Sequence, residues 1–104
     1  MMLFYDHLTP KHEISTLIEK LEGPDNHKSK LKQLVDDILH QGVIEFVLQK
    51  LHPHHHHHFM STIEEEPYSP TIIIFLNEKI HPKFEDELAV HIKQLVEDIK
   101  KDFA

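Results

Sequence analysis

The chain predicts an all-α fold, a compact bundle of about five helices in one domain spanning residues 1–104. Three observations carry this reading. Apolar residues recur at three- and four-residue spacing along most of the sequence. Proline stands at or near the start of four of the five segments so defined, with short connections between them. Only residues 71–76 carry strong strand propensity, and only Leu3, Phe4 and Tyr5 offer that stretch a partner strand.

Residues 1–8 form a short apolar lead-in. Thr9 and Pro10 then predict a helix start, a hydroxyl cap followed by proline at the first helical position. Ile14, Leu17, Ile18 and Leu21 make one stripe, which Gly23 and Pro24 end. Asp25 or Asn26 caps a second helix. Its stripe holds Leu31, Leu34, Val35, Ile38, Leu39, Val43, Phe46, Val47 and Leu51, widened by Ile44 and Leu48. Gly42 falls on that stripe, where a small residue admits the backbone of a neighbour at about 1 kcal/mol of helix propensity relative to alanine. Proline at 53 disfavours helical geometry at His52 and ends the segment near Leu51.

Pro53 itself opens a short third helix with His56, Phe59, Met60 and Ile63 on one face. Glu64, Glu65 and Glu66 lie at its C-terminal end, where the helix dipole disfavours anions, and Pro67 closes it. Ser69 and Pro70 repeat the cap-plus-proline start. Ile72 or Ile73, Leu76 and Ile80 continue at helical spacing, so residues 70–80 are read as a buried helix despite three consecutive isoleucines. His81 and Pro82 open the last helix, whose stripe is Phe84, Leu88, Ile92, Leu95, Val96, Ile99 and Phe103. Glu85, Asp86 and Glu87 in its first turn and Lys100 and Lys101 in its last both suit the dipole.

Composition narrows the function classes. All eleven basic residues are lysine, against eighteen acidic ones, for a formal charge of −7 with histidine neutral. Nucleic acid is an unfavoured partner, because duplex affinity rests on phosphate neutralisation and the arginine fork is missing. No apolar run approaches the roughly 18 residues of a membrane span, and residues 1–6 lack a basic signal-peptide start, so a soluble cytoplasmic protein is expected. The chain has no cysteine, which removes thiolate zinc sites and cysteine nucleophiles. With two glycines, it has no phosphate-cradling loop. No serine sits in a nucleophile-elbow context and there is no HExxH motif, so no enzyme is expected.

The exception to an ordinary composition is histidine. There are twelve, and protonating all of them would move the formal charge from −7 to +5. Half lie in the run His52-Pro53-His54-His55-His56-His57-His58. One reading makes this a solvated first helical turn with His56 half-buried beside Phe59 and Met60. A second makes His52, His54, His55, His57 and His58 ligands for zinc, nickel or copper, since imidazole binds these ions near neutral pH. On a helix His54 and His58 are neighbours at i, i+4, and His52 and His55 are three apart. A purification tag is a third reading, opposed by the fifty-one residues of good helical pattern before the run. His40, His81 and His91 lie on helices or their ends and complete a metal site only through folding; a core-edge role is expected for His91.

Residues 34–103 carry a resemblance. Leu51-His52-Pro53 through Phe59-Met60, then residues 70–80, then His81-Pro82 leading into the last helix, resemble a class of small all-helical bacterial domains of unknown function. The likeness rests on hydrophobic pattern and proline placement, and it departs from that class where histidines replace glutamates in the short helix. It implies an all-α fold and no activity. The expected function is a non-catalytic helical module acting by contact with a protein partner or by self-association, pairing through Ile44 and Leu48. Metal binding or buffering by the histidine run is the alternative.

Overall fold

The computed structural model describes residues 3–20 and 25–103, the side chains of residues 25, 26 and 103 excepted. Within them lie five α-helices: α1 (Lys11–Lys20), α2 (Asp25–Lys50), α3 (His56–Glu65), α4 (Thr71–Lys79) and α5 (Phe84–Phe103). Short 3-10 turns at Asp6–Leu8 and Pro53–His55 precede α1 and α3, and no strand occurs among the described residues. The all-α fold is thus as expected. Leu21, the Gly23-Pro24 stop, the capping side chains of Asp25 and Asn26, and the Phe103 side chain fall outside the described residues.

The starts of the helices share one local device. Proline has no N–H, so the first donor after an X-Pro step belongs to the residue that follows. His52 Nδ1 accepts the N–H of His54 at 3.1 Å. Ser69 Oγ accepts that of Thr71 at 3.3 Å, and His81 Nδ1 accepts that of Lys83 at 3.2 Å. Thr9 departs from the expectation. Its hydroxyl donates to the Tyr5 carbonyl at 3.3 Å, closing the preceding 3-10 turn, while the Lys11 N–H goes to the Thr9 carbonyl at 2.9 Å. Pro10 and Pro70 sit one residue before their helices, their carbonyls accepting the first i+4 bonds from Ile14 and Ile74. Asn77 adds a device across elements: its Oδ1 accepts the Glu85 N–H at 3.0 Å, so α4 satisfies one orphan donor of α5.

Helices α2 and α5 form the most extensive pair. Gly42 lies against Leu95 and Phe46 against His91, so the two run antiparallel. The buried face of α2 is the row Val35, Leu39, Val43 and Val47, one residue in four, which Leu51 continues just past the end of the helix. Leu34 and Ile38, expected on the same stripe, are 47% and 41% exposed. Each stands about 100° around the helix from the neighbouring row residue, beyond the width the packed helices cover. Helix α5 buries Phe84, Leu88, Ile92, Val96 and Ile99 against that row. The remaining core comes from Ile14 and Ile18 of α1, Phe59 and Ile63 of α3, and Ile72, Ile73 and Leu76 of α4.

The lead-in belongs to this core. Phe4 and Tyr5 are buried, and the Phe4 N–H donates to the Pro67 carbonyl at 2.8 Å, fastening the segment to the α3–α4 link. Phe4 meets Phe59 edge to face, with centroids 6.2 Å apart. At the far end, Lys100 joins Glu13 of α1 at 3.0 Å and Glu97 at 3.3 Å, an exposed network of small energetic weight.

Candidate functional site

The histidine run is placed as a turn and the start of a helix. His52, His54, His57 and His58 are exposed, while His55 and His56 are half-buried. The His52 and His54 rings stack with centroids 4.7 Å apart, and His55 lies edge-on to His52 at 6.5 Å. His55 and His58 flank Phe75 of α4, at 5.8 and 5.0 Å. His57 joins none of these ring contacts. Two members already serve the backbone: His52 Nδ1 as the acceptor from His54, and His56 Nε2 in a 2.7 Å hydrogen bond with the Leu51 carbonyl. Partial burial, then the charges of Lys79, His52, His54 and His58, holds His55 below the usual histidine value. Among the described residues, no three His, Cys, Asp or Glu side chains converge to hold a metal ion.

Of the six other histidines, His7, His40, His81 and His91 are held by the fold in separate places, and His12 and His27 are exposed. His40 Nδ1 lies 2.8 Å from the Tyr5 hydroxyl. Burial, reinforced by Asp6 and Asp36, pushes the Tyr5 phenol well above its ordinary value and keeps its proton available to that contact. His7 Nε2 meets Glu85 at 3.2 Å, and His81 Nε2 meets Glu87 at 2.7 Å. Since His81 Nδ1 is an acceptor from Lys83, Nε2 carries the proton and donates to the carboxylate.

An open groove lies between α2 and α5. Phe46 and His91 stack nearly parallel, with centroids 4.0 Å apart and planes 12° apart. On the inner side Phe84 stacks on Phe46 at 5.8 Å. This pair floors the groove, whose walls are Val90, 71% exposed, with Lys50, Asp86, Glu87 and Gln94. Lys50 sits 5.7 Å from the Phe46 centroid, a cation–π contact that keeps its ammonium at the rim. The groove thus has the aromatic pair as its floor, with Val90 and charges of both signs around it. Two other concavities are less suited. The one lined by Tyr5, Asp6, Lys11, Lys32 and Asp36 has its charges paired internally, Asp6 with Lys11 and Asp36 with Lys32. The one beside His58 and Phe75 is small, at about 230 Å³.

His91 is at the edge of the core, as its position beside Ile92 implied. Burial lowers its pKa below the usual histidine value, against the opposing pull of Asp98 and the Gly42 carbonyl. In the unfolded chain the group returns to about 6.5. Between the two values the unfolded chain holds more protons, so stability is complete above about 6.5 and falls as the pH drops through that window. Unfolding midpoints at pH 7.5 and 5.5 are expected to differ, and His91→Phe, which keeps the stack and removes the titration, is expected to narrow the difference. An unchanged difference in the variant would place the titration elsewhere.

Ile44 and Leu48, expected as the pairing surface, are half-buried and pack on the core. Val90 stands off the α5 stripe, so the helical period does not mark it. That displacement was itself the signal: a β-branched apolar residue on an otherwise polar helix face. The Phe46–His91 stack had no comparable signal, since it joins residues of two different helices. No helix among the described residues is long and apolar enough to cross a membrane. No family model, curated protein or solved structure matches the chain, and the likeness to small bacterial helical domains stays an expectation drawn from pattern.

Proposed function

We propose that this chain is a small non-catalytic binding module that acts by contact with protein, through the groove between α2 and α5. The observation that carries the reading is the half-buried aromatic floor, Phe46 stacked on His91, bordered by an exposed Val90 and by charges of both signs. An apolar centre inside a polar rim excludes water on docking, and the stacked rings form a rigid floor with little side-chain entropy left to lose. The α2–α5 packing beneath it holds the floor in place. Zinc, nickel or copper binding by the histidine run draws on composition alone, whereas the groove has geometry behind it.

The test is selection of peptides from a displayed random library on the immobilised full-length chain, followed by affinity measurement on Val90→Lys. Val90 is exposed, so the substitution leaves the core intact. Selected peptides are expected to bind in the micromolar range and to lose about tenfold or more on the variant, where a charge replaces the apolar wall of the groove. Peptides that bind both forms equally would overturn the reading, as would no enrichment on a chain that also fails to self-associate.

A further inference from the structure

We infer that the partner of this groove is a second copy of the same chain, docked face to face about a twofold axis that lies in the contact plane and runs parallel to α2 and α5. The inference rests on the reading of the groove as a protein-contact surface and names its occupant. What points to the second copy is the distribution of rim charge. The groove's α2 edge carries Lys50 and its α5 edge carries Asp86 and Glu87. Because the helices are antiparallel with Phe46 level with His91, Lys50 stands level with the first turn of α5. One edge is therefore cationic and the other anionic at the same height.

Twofold rotation about an axis along the helices exchanges the two edges at constant height. It lays Lys50 of each copy against Asp86 of the other, and it sets Val90 of each copy against the α2 side of the other's aromatic floor. An isologous contact requires a patch complementary to itself, and this charge pattern satisfies that requirement. Within one chain these charges are not used against each other. Among the described residues neither Lys50 nor Asp86 takes part in an ion pair, whereas Glu87 is engaged by His81 at 2.7 Å. A formal charge of −7 on each copy opposes indiscriminate association, so the paired rim charges set both the orientation and the specificity of the contact.

Sedimentation of the full-length chain, followed from about 1 μM to about 1 mM to cover the weak association a small interface gives, reads the proposal directly. Wild-type protein is expected to shift reversibly from monomer to dimer. Lys50→Asp and Asp86→Lys each place two like-charge pairs across the axis and are expected to weaken association by about tenfold. An equimolar mixture of the two variants restores both opposite-charge pairs and is expected to recover association to within about threefold of wild type. The substituted positions are exposed, and circular dichroism of each variant confirms that it is folded. A wild-type chain that stays monomeric throughout, or a mixture that associates no better than its components, would overturn the second copy as occupant. In that event a selected peptide that still discriminates Val90→Lys leaves the groove reading standing. If neither the peptide nor the second copy responds, both fail.

Discussion

Replacing Phe84 by alanine is expected to cost about 3–5 kcal/mol of folding stability, as for other fully buried aromatic side chains. The ring is fully enclosed. It stacks on Phe46 at 5.8 Å and meets His81 edge-on at 6.2 Å. It also stands at the first residue of α5, where its own N–H donates to the His81 carbonyl at 3.0 Å. Alanine keeps that backbone bond, so the loss measures packing alone. A domain of this size has about 5–15 kcal/mol in total, so the variant sits near the edge of folding. Urea denaturation is the measurement, with a lowered midpoint at an unchanged slope as the expected form. A loss below about 1 kcal/mol would mean that the start of α5 does not close the core.

The second large effect is expected at Gly42, and it depends on the size of the replacement. A Cβ built there lies 2.8 Å from Leu95 Cδ1 and 3.0 Å from Cδ2. The neighbour is the tip of a leucine side chain, where the sequence had implied the close approach of a backbone. A leucine tip can rotate away, so Gly42→Ala trades a small repacking cost against about 1 kcal/mol of helix propensity and comes out near neutral. Valine adds two methyl groups to the same space with a χ1 fixed by the helix. Gly42→Val is expected to lose about 1–3 kcal/mol through overpacking. Equal stability of the two variants would show that α2 and α5 separate freely at this level.

The helices were legible in the sequence because period and punctuation agree. Residues 71–76 show how far pattern reaches. A strand would put Ile72 and Ile74 on one face, whereas a helix separates them by about 200°. Ile72 is buried and Ile74 is 63% exposed, which is the helical outcome that Leu76 and Ile80 at helical spacing had favoured. What period does not set is which part of a wide stripe finds a partner. Leu34 and Ile38 share the character of Val35 and Leu39, and only the position of the neighbouring helices tells them apart.

The contact surface was less legible for the same reason. Tyr5 and His40 are separated by 35 residues along the chain, and Phe46 and His91 by nearly half its length. Each pair exists only once α2 has packed against its neighbours. The histidine run drew notice because it is local and unusual. Its rings instead cap a turn, bond a carbonyl and border Phe75. Composition reports which side chains are present, and burial and register decide which of them face outward together.

The affinity of one library-selected peptide for wild type and for Val90→Lys, measured side by side on folded protein, tests the groove most directly. Binding that weakens by about tenfold or more on the variant is the result predicted for an apolar wall of the contact surface. Equal binding to both forms would contradict the assignment of the α2–α5 groove as the surface through which this chain acts.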